Sequence, residues 1–203
     1  MKEVKNIVKA LILIILAPYI GYLVCKKHYI YTIIFFALSV VIILWSLAKK
    51  VDLNIVDVQS AFNKGTMRTE TKYVVIHHTA GDTSAVVNDI VKTHFKKNQW
   101  EGIGYHFFIH SNGTVYQLRN DNESQVPHAF GFNDNCVAIC ISGNFSEYEC
   151  PDNLWEIALE LTRQELKKFG LTPNDVRGHR ELPGNNVECP GLLFDLDKFR
   201  NEL

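Results

Sequence analysis

Residues 72–78, KYVVIHH, are a short β-branched and aromatic run that closes on two adjacent histidines. Such a composition fills a strand buried on both faces of a sheet. CVAICIS, residues 136–142, is a second run of the same kind. Between them, Val86, Val87, Ile90, Val91 and Phe95 recur with helical period after Ser84, which is placed to cap the start. YHFFIH (105–110), Asn112-Gly113 and TVYQLR (114–119) read as a hairpin around a type I′ turn. Further on, Asp152 opens a helix with a Leu154, Ile157, Ala158, Leu161 stripe, ended by Gly170 and Pro173. LLFDLDKFRNEL (192–203) is the last helical candidate. Strands that alternate with helices but include a hairpin predict an α/β fold, with one mixed central β-sheet flanked by helices.

At 203 residues the chain has room for one ordinary domain and something extra at the front. Residues 29–48, YIYTIIFFALSVVIILWSLA, are twenty positions without a charge, the length of a bilayer-spanning helix. Residues 10–25 are nearly as apolar and extend back to Ile7 if Lys9 snorkels to the interface. The expectation is a two-helix transmembrane hairpin over residues 1–50, with spans at about 7–25 and 29–48. A cleaved signal peptide competes, because MKEVKN resembles a basic leader, but GYLVC lacks the small-residue pattern of a cleavage site. Residues 51–70 read as a linker that also enters the domain, and residues 71–203 as the domain itself.

Lys2, Lys5, Lys9, Lys49 and Lys50 flank the outer ends of the hairpin, against Lys26 and Lys27 at its turn. The positive-inside rule therefore favours a cytoplasmic domain. From Val51 onward, 14 Lys and Arg face 21 Asp and Glu, a net charge of −7. That sign argues against a nucleic-acid partner. Cys136 and Cys140, four apart in a strand, lie too far from one another to bridge, and no disulfide framework is visible.

Seven of the eight histidines lie in the domain. Successive strand side chains point to opposite faces, so only one of His77 and His78 can readily face a given site, and periodicity does not choose between them. GHRELPGNNVECPG, residues 178–191, sets His179 and Cys189 ten positions apart around a Pro-Gly turn. On its own this is either a ligand pair or an ordinary loop.

VIHHTAG (75–81), W-x-x-x-GYHFFI with its Asn-Gly turn (100–113), PHAFGFN (127–133), CVAICISGNF (136–145) and GHRELPG with ECPG (178–191) follow one another in order. Together they resemble the zinc-dependent N-acetylmuramoyl-L-alanine amidases, a group that includes amidase-type phage lysozymes and peptidoglycan recognition proteins. The resemblance covers about residues 70–203. It implies Zn²⁺ held by His77, His179 and Cys189, with the fourth position open for water as in catalytic zinc sites. It implies Tyr105 as the catalytic tyrosine, and His94 and His128 as substrate-binding residues in the groove. In one respect the chain departs from the family. Where active members often carry a Lys or Thr that stabilises the transition state, this chain has Val187, and Asn185 or Asn186 in a slightly longer loop is the candidate replacement. Asn186 is therefore read as substrate-binding.

The resemblance implies hydrolysis of the amide between N-acetylmuramic acid and L-alanine in peptidoglycan or muropeptides. The alternative is a membrane-tethered module that binds the same substrate without cutting it. Such a substrate favours the cell envelope, whereas the lysine distribution favours the cytoplasm.

Overall fold

The computed structural model describes residues 29–48, 51–62, 66–82, 87–98, 102–122 and 128–203. The expected first span, residues 7–25, lies outside the described residues. The chain divides into two compact units, Met1–Lys50 and Val51–Leu203.

In the first unit, α1 (Tyr29–Ala48) is a helix of 20 residues. Side chains are described for residues 33–42, and Ile33, Ile34, Phe35, Leu38, Val41 and Ile42 among them are exposed. Among the described residues no helix is long and apolar enough to cross a membrane.

The second unit is built on a six-stranded mixed sheet in the order β1-β4-β3-β5-β2-β6. Its strands are β1 (Ile55–Asp57), β2 (Tyr73–His78), β3 (Phe107–Ile109), β4 (Val115–Gln117), β5 (Cys136–Ile141) and β6 (Val176–Gly178). All neighbours pair in parallel except the β3–β4 hairpin. The helices are α2 (Val87–Val91), which continues as a π-turn over Lys92–Lys97, α3 (Asp152–Phe169) and α4 (Leu196–Glu202).

Strand alternation sorts the sheet into two faces. Val74, Ile76, Val137, Ile139, Ile141, Phe107 and Ile109 pack with Leu154, Ala158, Leu161, Phe194 and Phe199 into the main core. The opposite parity gives Val75, Phe108 and Cys140 to two smaller clusters on the other face. Gly170, in the left-handed region at φ 67°, ends α3, and Leu171 N–H closes back on Leu166 C=O.

Three expectations change. The stretch read as a linker supplies the edge strand β1, in register with Val115–Gln117, while Phe62 stacks on Phe95 at 6.5 Å. All three β1 residues are exposed, so no alternation marks them in sequence. The hairpin turn is not type I′. Its three-residue loop has Gly113 N–H donating to His110 C=O, and Gly113 alone lies in the left-handed region, at φ 87°. The last helix starts at Leu196 and not Leu192, because Asp195 caps it by accepting from Lys198 N–H at 2.9 Å.

β6 stops after pairing with Val74–Ile76, which leaves the last two residues of β2, His77 and His78, beyond its reach. The candidate site occupies that gap.

Candidate metal centre

His77 reaches the site by parity. Val74 and Ile76 face the main core, so His77 projects from the other face, where it is 1% exposed. His78 turns the opposite way, and its Nδ1 accepts from Phe145 N–H at 3.0 Å. Burial, with Arg180 as the lesser cause, pushes His78 down to about 4.

His179 follows β6 directly, in a single 3-10 turn (His179–Glu181). A Cβ on Gly178 would run into the Leu196 side chain and lie 2.9 Å from Pro190 Cδ, so only glycine lets the strand pass there. Glu181 braces the turn by accepting from Gly178 N–H at 2.9 Å and pairing with Arg200 at 2.9 and 3.1 Å. Arg180 brings the loop back. Its N–H donates to Cys189 C=O at 2.7 Å, and its guanidinium donates to the carbonyls of Gly191 and Phe194. Gly191, at φ 108°, lies directly against the Phe145 backbone.

These supports bring one donor atom each from His77, His179 and Cys189 within 4.8 Å of one another. Cys189 Sγ lies 3.6 Å from His77 Nδ1 and accepts from His78 N–H at 3.4 Å. Two imidazoles and a thiol are a donor set that Zn²⁺ takes, and the spacing lets one ion touch all three. Burial, then His128 and His179, holds His77 well below its ordinary value, and burial lowers His179 as well. Both imidazoles are thus neutral, the form that ligates. Burial pushes the Cys189 thiol up to about 12, against the pull of the His78 N–H and Arg180. A divalent cation would reverse that shift.

Around the donors, the Tyr105 ring lies 5.3 Å from that of His77 and 5.2 Å from that of His94. Burial, then the Cys140 and Cys189 thiols, keeps the Tyr105 phenol well above its ordinary value, and so protonated. His128 Nδ1 lies 3.0 Å from His77 Nε2, while His128 Nε2 is buried with no hydrogen-bond partner among the described residues. His94 is 4% exposed, and its Nδ1 accepts from Gly104 N–H at 3.0 Å. It lines the wall behind Tyr105 and offers little open surface to a groove. Asn186 is exposed on the loop, and Asn185 takes the inward place, 3.0 Å from His179 Nε2.

Cys140 is a neighbour that the sequence reading passed over. It is the β5 partner of His77 in register and belongs to the buried cluster against which Tyr105 packs. The signal was available, since parallel partners in register share a face. Neither Asn185's contact with His179 nor the Arg180 brace had a signal in spacing.

A mixed α/β sheet thus carries, beside a protonated tyrosine, a His-His-Cys cluster that could hold a metal ion, with His77 buried and His179 and Cys189 half-buried. The family profile for N-acetylmuramoyl-L-alanine amidases matches residues 67–192. The chain belongs to this family. Peptidoglycan-recognition protein SC1a of Drosophila melanogaster is 30% identical over 127 residues, covering 59% of this chain and 67% of that protein. The endolysin N-acetylmuramoyl-L-alanine amidase LysCS from Clostridium intestinale superposes with a TM-score of 0.65 at 29% identity, over 73% of this chain and 93% of its own. A human peptidoglycan recognition protein solved with a glycosamyl muramyl pentapeptide gives a TM-score of 0.59 at 25% identity, over 70% and 92%.

Proposed function

We propose that the chain is a zinc-dependent amidase that hydrolyses the bond between N-acetylmuramic acid and L-alanine, held at a membrane by its N-terminal apolar helices. The convergence of His77, His179 and Cys189 beside the protonated Tyr105 carries this reading.

Bound zinc would supply Lewis acidity toward the amide carbonyl and lower the pKa of a water. The chain's own residues do the rest. With His77 Nδ1 given to the metal, its Nε2–H would donate to His128 Nδ1, which leaves the hydrogen of His128 on its Nε2. The Tyr105 hydroxyl is a donor available to a developing oxyanion or to the attacking water. Cys140 packs with Tyr105 from the sheet side.

A second reading, recognition without cleavage, is favoured by one observation. Val187 stands where active relatives often carry Lys or Thr; it is 43% exposed and has no side-chain donor.

The test incubates residues 51–203, and the full chain in detergent, with purified peptidoglycan and a defined muramyl-peptide. New L-alanine amino termini are read by mass spectrometry. Release is expected, and is lost with Cys189→Ala and with chelator. Binding without release from zinc-loaded protein would replace the enzyme by the recognition module. For the tether, the exposed apolar side chains of α1 support lipid contact. The full chain should float with vesicles in a density gradient while residues 51–203 stay behind; equal flotation would remove the tether. The lysine distribution supports a cytoplasmic domain and the substrate class an envelope-facing one. Protease accessibility in intact cells would decide between them.

A further inference from the structure

Asn185 sits between a candidate ligand and an exposed loop. Its Oδ1 accepts from Phe130 N–H at 2.9 Å, and its Nδ2 donates to the carbonyls of Phe130 at 3.1 Å and Pro183 at 3.3 Å. Turning the amide over would set the NH₂ against an N–H and the oxygen against two carbonyls, so backbone groups fix its orientation. The atom 3.0 Å from His179 Nε2 is therefore the amide oxygen, which only accepts. His179 Nε2 must carry the hydrogen, and Nδ1 keeps the lone pair.

We propose that Asn185 is a positioning residue that selects the Nε2–H tautomer of His179 and so presents Nδ1 to the metal. This rests on the zinc reading for its purpose and not for its geometry. The role differs from that of a substrate-contacting residue, because the side chain acts through His179. It also ties the ligand to the Phe130 backbone. Phe130 itself is 81% exposed, so this link fixes the backbone under an outward-facing ring. Outer partners of metal-bound imidazoles set ring orientation and tautomer, and their loss typically lowers metal affinity about 10–100-fold.

The experiment uses the full chain in detergent with ¹⁵N-labelled histidine. In metal-free protein, ¹⁵N imidazole shifts report which nitrogen of His179 carries hydrogen. Zinc affinity is read by chelator competition. Wild type should show Nε2–H. Asn185→Leu, which removes the acceptor, should mix the tautomers and weaken zinc about 10–100-fold. Asn185→Asp keeps the acceptor toward His179 but sets its second oxygen against the Phe130 and Pro183 carbonyls, so the loop should loosen while the Nε2–H tautomer returns and zinc is held more tightly than in Asn185→Leu. A general loss of fold would affect both variants alike, so rescue by Asp separates positioning from packing. An Nδ1–H tautomer in wild type, or unchanged tautomer and affinity in Asn185→Leu, would overturn the proposal. A wild type that holds no zinc would sink the metal reading, and the tautomer shift would still decide the role of Asn185.

Discussion

At the scale of single residues, the site turns on which groups stay neutral. Tyr105 keeps its proton because burial and two thiols oppose its ionisation. Tyr105→Phe removes that donor and little else. The expected outcome is a kcat lowered about 10²–10³-fold, in the range of losing one oxyanion donor, with zinc content and KM close to wild type. Steady-state kinetics with metal analysis checks it, and an unchanged kcat would remove Tyr105 from the chemistry. The sequence carried the identities of the converging residues but not the choice between His77 and His78. Both faces of β2 are apolar, since Val75 is as buried as Val74 and Ile76, so alternation alone had no polar face to point to. The family motif supplied the choice, and the packing of Val74 and Ile76 on the α3 side gives its physical reason.

At the scale of elements, the loop that carries Cys189 is held by backbone fit as much as by side chains. A Cβ on Gly191 would collide with the Phe145 backbone, and φ 108° disfavours any other residue. Gly191→Ala should therefore push the loop outward. We expect a loss of about 2 kcal/mol or more, seen as a Tm lower by several degrees, together with weaker zinc retention. Calorimetry and chelator competition read the two effects, and an unchanged Tm would show that the loop yields freely. Central elements were the most legible. β5 is a six-residue apolar run, β2 has four such residues before its two histidines, and α3 has a clear stripe and a glycine stop. β1 escaped notice because three exposed residues have no pattern, and its place is set by pairing with a strand 60 positions away. The hairpin turn was misread because Asn-Gly is compatible with more than one loop, and here only the glycine takes the left-handed conformation.

For the whole molecule, one buried acid links pH to stability. Glu165 on α3 is 5% exposed, and its Oε2 has no hydrogen-bond partner among the described residues. It faces Asp121 after β4, with Lys168 from α3 and Arg68 from the segment before β2. Burial first, then Asp121, pushes its carboxyl up to about 8, while Lys168 and Arg68 pull the other way. The folded protein thus holds a proton that the unfolded chain releases near 4.5. Its contribution is full below that value and is lost as pH rises through about 8. Wild-type Tm should decline relative to that of Glu165→Gln between pH 5 and 8.5, and the gap should widen with pH. Parallel curves from differential scanning fluorimetry would remove the idea. A different consequence follows from the early end of β6. Where a longer strand would set a carbonyl against His78 N–H, the sulfur of Cys189 accepts that hydrogen instead. One extra residue in β6 would rotate His179 to the opposite side of the sheet and fill the gap with backbone. Length changes should therefore be tolerated best at Asn186 and Val187, which are exposed beyond the Asn185 anchor, and forbidden between 176 and 179. The position of the centre is thus set by counting residues along a strand.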